Sequence, residues 1–258
     1  MSARPDFALS ERRAELDAGM RSLGLQKLNG LEHDPLRWNR LLDRLCAYLA
    51  LLHKWNQVHN LTAIREPAQM VTLHLLDSLA LLPWLQQPAI TPSRRVLDVG
   101  TGGGLPGIPL AIAGPSLMGT SFLSVGLLDS NQKKAAFLQQ AVTELELNQS
   151  DTEVRVFAER IELHRPAAPY DLIVCRAFSS LAEFAQPTRS LLAAGGVLVA
   201  MKGVLPQEEL DALPKDLRVC ATHRLQVPGV DAERHLILLQ PDVAPQVPPP
   251  TSMRMPQP

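Results

Sequence analysis

The chain is poor in cysteine and aromatic residues, and neither sign of charge dominates it. Its 258 residues include only Cys46, Cys175 and Cys220 as cysteines, widely spaced and without a C-x-x-C pair. That spacing argues against a disulfide framework or a thiolate zinc site, so no metal is expected, and it points to a reducing compartment. No apolar run approaches the roughly 18 residues of a membrane span. The first residues, with Arg4, Pro5 and Asp6, lack an apolar signal segment. Together these absences predict a cytoplasmic protein that does not enter a membrane. A formal net charge of −1 offers no general attraction to nucleic acid. Residues 1–95 carry 12 basic and 9 acidic side chains and the remainder 13 and 17, so an RNA ligand would have to meet a local patch.

What is present is an ordinary globular composition, 46% apolar and 20% charged, long enough for one substantial core plus an accessory piece. Residues 1–90 read as helical. Trp38, Leu41, Leu42, Leu45, Tyr48, Leu49, Leu52 and Trp55 recur at spacings of three and four after Pro35, which predicts an amphipathic helix. A second apolar run, Val71 to Leu85, follows Pro67, and a weaker one spans Leu9 to Leu28. The stretch from Asn56 to Thr62 reads as a polar break between the stronger two. Pro88 and Pro92 mark the passage into a main domain over 91–240. There, strand patterns at 95–99, 124–129, 153–157, 171–175 and 196–201 alternate with helical ones, the clearest from Asn131 to Leu147. This alternation predicts an α/β fold with a parallel sheet and helices on both faces. A short helix near Pro206–Leu213 and strands near 217–226 and 234–240 predict an antiparallel pair at the sheet edge. Residues 241–258, with seven prolines, read as a disordered tail.

The most informative segment is Arg95-Val96-Leu97-Asp98-Val99-Gly100-Thr101-Gly102-Gly103-Gly104-Leu105-Pro106-Gly107. It reads as strand, glycine turn and helix start, the geometry that presents backbone N–H groups to a nucleotide-like ligand. Gly102, Gly104 and Gly107 satisfy G-x-G-x-x-G. Asp98, Gly100, Gly102 and Gly104 satisfy D-x-G-x-G-x-G, the pattern of S-adenosylmethionine-dependent methyltransferases. The second register fits better, because the turn then begins directly after the strand. The Asp98 carboxylate lies where a ligand ammonium or an ordered water could use it.

In such a sheet ligands bind at the carboxyl ends of the strands. Asp129 ends the second strand, where it could grip a ribose diol or merely cap the next helix. Ala158 and Glu159 follow the third, where they could read an adenine or simply begin a helix. The fourth delivers Arg176, whose burial at a strand end calls for an anionic or hydrogen-bonding partner. Cys175-Arg176-Ala177-Phe178 is unlike the Asn/Asp-Pro-Pro-Tyr turn used to methylate exocyclic amines. Cys175 lies within an apolar strand and reads as core, not as the nucleophile that pyrimidine C5 methylation needs. An acceptor with an available lone pair, such as guanine N7, requires neither device.

These residues resemble the bacterial glucose-inhibited division protein B family of 16S ribosomal RNA guanine-N7 methyltransferases. The resemblance runs from about Leu41 to Leu239. It rests on Trp55-Asn56-Gln57-Val58-His59-Asn60-Leu61-Thr62-Ala63-Ile64, on His74-Leu75-Leu76-Asp77-Ser78-Leu79 and on the glycine turn through Pro109. It continues in Leu128-Asp129-Ser130, Ala158-Glu159, Cys175-Arg176-Ala177-Phe178 and Lys202-Gly203. It implies a Rossmann-like S-adenosylmethionine-dependent methyltransferase sheet with an N-terminal helical extension, acting on one guanine of 16S rRNA in the small ribosomal subunit; a monomer is expected separately from this resemblance. It also implies that Gly100 and Leu105 line the cofactor, that Ala158 and Glu159 meet its adenine, and that Arg176 reaches into the shared cleft. Gly102 and Asp129 join this cofactor set from the turn and the second strand. Asn56, Asn60, His74 and Lys202 are RNA-side candidates. Turn chemistry also accounts for Asn60 and Thr62, and His74 could be a satisfied core histidine. The chain departs from the family at Phe157, where an arginine is usual. A small-molecule methyltransferase and a catalytically silent nucleotide-binding regulator are the alternatives.

Overall fold

The computed structural model describes residues 7–86, 95–119, 124–149, 152–178 and 180–242. The expected domain passage at Pro88 and Pro92, and all of the proline-rich tail beyond residue 242, lie outside them. Helix α1 (Leu9–Ser22) is followed by a 3-10 segment and then α2 (Pro35–His59), the longest helix described. Sequence explains both ends of α2. Asp34 caps it by accepting the Arg37 N–H at 3.0 Å, Pro35 occupies the first turn, and Asn60 closes it at φ 50°. Trp38, Leu41, Leu42, Leu45, Tyr48, Leu49 and Leu52 form its buried stripe, as the spacing predicts. The polar break begins later than expected, at Asn60, and Asn56 is a buried residue of the helix itself.

The second apolar run is not one regular helix. It divides into α3 (Pro67–Met70), a π turn (Val71–Leu76), α4 (Asp77–Leu79) and α5 (Leu82–Leu85). A 3.6-residue pattern cannot register one widened turn, and such turns often serve sites. Taken together, Pro67–Leu85 is 19 residues of mean hydropathy 1.2, long and apolar enough to cross a membrane by length and composition. This corrects the expectation that no segment reaches that threshold. Because 67% of its apolar window is buried inside the protein, it serves as core.

Seven strands form one sheet in the order β3-β2-β1-β4-β5-β7-β6. Strands β1 (Arg95–Val99), β2 (Ser124–Leu128), β3 (Glu153–Phe157), β4 (Tyr170–Arg176) and β5 (Leu192–Lys202) run parallel. Strand β7 (His235–Pro241) enters antiparallel between β5 and β6 (Leu217–Arg224), the expected edge pair. Alternate residues face opposite cores. Val96, Val125, Leu172 and Val199 pack with the N-terminal helices, α6 (Gly107–Leu117) and α7 (Gln132–Glu144). Leu97, Ile173, Cys175 and Leu198 pack with α8 (Leu181–Thr188). A last short helix, α9 (Gln207–Asp211), stands beyond β5. The strand order reverses between β1 and β4, which opens a crevice at their carboxyl ends.

The helical extension and the sheet thus share one continuous core, and Tyr48 joins them by donating its hydroxyl to the Gly103 carbonyl at 2.6 Å. Replacing Tyr48 with phenylalanine should lower unfolding stability by about 1 kcal/mol. Urea titration checks this, and an unchanged midpoint would mean that the bond contributes nothing.

Candidate functional site: two cavities at the carboxyl ends of the strands

Asp98, the last but one residue of β1, is completely buried. Its Oδ2 accepts the Thr101 hydroxyl at 2.5 Å and the Gly107 N–H at 2.7 Å, so one oxygen ties together both ends of the glycine turn. Oδ1 has no partner. Burial pushes the Asp98 carboxyl up to about 6, against the pull of those two bonds. Gly100, Gly102 and Gly104 all have positive φ, at 69°, 60° and 90°. A Cβ on Gly104 would stand 2.4 Å from Ile108, and one on Gly107 would stand 2.8 Å from the Asp98 carboxylate.

The turn does not offer its amides as the sequence predicts. Gly100 and Thr101 donate to the Leu128 carbonyl, Gly104 and Leu105 to the Thr101 carbonyl, and Gly102 to Asp129 Oδ2 at 2.9 Å. These groups hold the turn itself in place. Its contribution to the crevice is instead a surface without side chains, since a Cβ on Gly100 would point at the Phe178 ring 3.6 Å away.

A cavity of about 320 Å³ opens there, lined by residues that include Gly100, Asp129, Glu159 and Phe178. Asp129 does not cap α7, whose first turn is capped by the Asn131 side chain accepting the Lys133 and Lys134 N–H groups. Asp129 instead accepts the Asn131 N–H just before α7 and also holds Gly102, while facing the cavity. Glu159 is oriented by a buried relay: its carboxylate meets His164 Nδ1 at 2.7 Å, and His164 Nε2 meets the Tyr170 hydroxyl at 2.9 Å. Phe157, at the position of the usual arginine, packs edge-on against that histidine. Leu105 is buried in the core, and neither it, Gly102 nor Ala158 lines this cavity.

Arg176 faces a second cavity of about 370 Å³, so the segment 176–178 is the wall between the two. Ala177 in that wall adopts φ 59°, costly for a residue with a Cβ and a common mark of a working site. The second cavity gathers three sequence candidates, His74, Arg176 and Lys202, with Asp77, Arg234 and His235. Asp77 bridges two guanidinium groups: Oδ2 meets Arg176 Nη1 at 3.2 Å and Oδ1 meets Arg234 Nε at 2.9 Å. Arg176 Nη1 also donates to the Leu73 carbonyl in the π turn. Lys202 Nζ meets Glu209 and the Phe178 carbonyl. Arg234 carried no local sequence signal, and Asp77 appeared only within the motif beginning at His74.

The other two RNA-side candidates stand apart from this cavity. Asn56 is 2% exposed, and its amide spans the loop by donating to the Ile64 carbonyl and accepting the Thr62 N–H. That geometry gives it a loop-holding task. Asn60 is exposed and accepts a bond from Arg65. Among the described residues no cluster of three or more His, Cys, Asp or Glu side chains could hold a metal ion.

Asp98 and His74 oppose each other in pH dependence. Asp98 is raised, so its stability contribution is full below the ordinary carboxyl range and is lost as pH rises through about 6. His74 is lowered to about 4 by burial and by nearby Arg176, so its contribution is present above 6.5 and is lost as pH falls through about 4. Relative to wild type, the Asp98→Asn variant should therefore gain stability as pH rises between about 4 and about 6, and His74→Gln should lose it over the same range. Urea unfolding across that range checks both signs, and parallel profiles for the two variants would contradict the assignments.

Residues 41–237 match the family model GidB, described as rRNA small subunit methyltransferase G. A protein of that name from Laribacter hongkongensis is 48% identical over 225 residues, 87% of this chain and 96% of that protein. One from Chromobacterium violaceum is 50% identical over 196 residues, covering 76% and 87%, and one from Neisseria meningitidis is 46% identical over 230 residues, covering 89% and 99%. With its glycine turn, its wall at 176–178 and the π turn bearing His74 inside the matched region, this chain belongs to the GidB family.

Proposed function

We propose that this chain is an S-adenosylmethionine-dependent methyltransferase that modifies N7 of one guanine in 16S rRNA of the small ribosomal subunit. The observation that carries the proposal is the pair of cavities on either side of segment 176–178, one for a methyl donor and one for an acceptor base. The proposal includes a monomer acting in the cytoplasm, with residues 1–90 as the helical extension and 91–240 as the methyl-transfer domain.

The first cavity suits the donor on two structural grounds. The glycine surface at Gly100 leaves room that any Cβ would occupy, and Asp129 and Glu159 present carboxylates to that space. Gly100, Asp129 and Glu159 would hold the group from three strand ends, with Glu159 steadied by His164. When bound, the sulfonium supplies a methyl group already activated for displacement. Guanine N7 carries its own lone pair, so the chain need only position the base and exclude water. Cys175 fits that economy: it is buried and its thiol is pushed well above its usual range, so it supplies no nucleophile. Arg176, on the wall, bounds the acceptor side.

Small subunits lacking the modification, incubated with methyl-labelled S-adenosylmethionine, should acquire label at one guanine of 16S rRNA. Label recovered only in a small molecule, or none at all, would overturn the proposal. Gly102→Val should cut donor affinity at least about tenfold by calorimetry with the fold retained, because a β-branched residue at φ 60° distorts the turn. Arg176→Ala should reduce kcat/KM on subunits by roughly a hundredfold, the scale of a lost charge-assisted contact. Full activity would make the arginine merely structural.

A further inference from the structure

We infer that Asp77 and His74, both from the N-terminal extension, read the Watson–Crick edge of the acceptor guanine in the second cavity. The inference rests on the methyltransferase reading and adds to it the residues that select the base.

N7 lies on the edge of guanine away from N1 and N2, so an enzyme can grip the Watson–Crick edge without touching the reacting atom. That edge presents one acceptor, O6, and two donors, N1–H and the N2 amine. A partner therefore needs one donor beside an acceptor pair. Asp77 supplies the acceptors. It lines the cavity, and each of its oxygens receives one guanidinium nitrogen, from Arg176 or Arg234, which leaves each oxygen a further lone pair. His74 supplies the donor. In the tautomer this reading requires, the Thr62 hydroxyl, which accepts the Ile64 N–H at 3.2 Å, donates to His74 Nε2 at 3.0 Å. The neutral ring then carries its proton on Nδ1. That nitrogen belongs to a residue only 3% exposed that lines the cavity, and it makes no hydrogen bond of ordinary geometry, the nearby Leu73 carbonyl accepting Arg176.

The same carboxylate favours the reaction as well as the base. As N7 bonds the methyl carbon, the carbon–sulfur electron pair stays with sulfur and the guanine ring takes up the positive charge. N1–H and N2–H become stronger donors, so their bonds to Asp77 tighten most in the transition state. Adenine would set its N1 lone pair against the carboxylate and offer no N2 amine, so it is rejected by repulsion as well as by a missing bond.

The test replaces the mapped target guanine with inosine, which lacks only the N2 amine, in 16S rRNA reconstituted into small subunits. Wild-type protein should methylate the guanine substrate with kcat/KM about tenfold or more above the inosine one. Asp77→Asn should slow guanine methylation and bring the guanine-to-inosine ratio close to one. A wild-type ratio near one overturns the inference. So does an Asp77→Asn protein that is slower on both substrates with the ratio intact, because Asp77 would then act only by holding Arg176. Should Asp77→Asn not fold, Asp77→Ser carries the same comparison. If the wild-type protein leaves guanine subunits unmethylated, the broader functional proposal has failed instead.

Discussion

The site depends on one buried carboxylate. Asp98 gives a single oxygen to both the Thr101 hydroxyl and the Gly107 N–H, and so closes the turn between β1 and α6. That arrangement is costly, since burial alone opposes the ionised form. It persists because the glycine run leaves space that no other residue type would leave: a Cβ on Gly107 would meet Asp98 and Leu127 together. Tyr48 then pins the turn to α2 through the Gly103 carbonyl, which makes the helical extension part of the crevice's foundation. Loss of any of these contacts would loosen a surface whose use lies in its fixed shape.

The second dependence runs across the molecule. Asp77 on α4, Arg176 at the end of β4 and Arg234 before β7 meet at one point, although Asp77 and Arg234 are 157 positions apart in the chain. The π turn makes this meeting possible, because the Leu73 carbonyl it contains accepts Arg176. Removing Asp77 would leave Arg176 and Arg234 close together without the carboxylate between them, the costly way to break such a cluster. The contacts that tie the π turn to β4 therefore also line the second cavity.

Much of this was legible in the residues. Strand patterns placed β1 and β3 on their observed bounds and the edge pair in its observed sense, because buried parallel strands are short, apolar and punctuated. The helix after Pro35 announced itself through its stripe and its opening proline. The π turn was not legible, since a single added residue hardly disturbs the spacing of Val71, Leu75, Leu76 and Leu79. Nor was the allocation of the turn's amides. Glycine spacing predicts a tight bend, but only the positions of Leu128, Asp129 and Asp98 decide which N–H groups remain available. Arg234 lay hidden because its role depends on a distant partner, and a strand-end arginine such as Arg176 signals itself through local burial alone.

The account turns on where the methyl donor lies. A crystal structure with S-adenosylhomocysteine should show the ligand between the Gly100 surface and Phe178, its adenine end against Glu159 and its sulfur facing the wall at 176–178. Density in the Asp77 cavity instead, or a crevice filled by side chains with the ligand elsewhere, would contradict it.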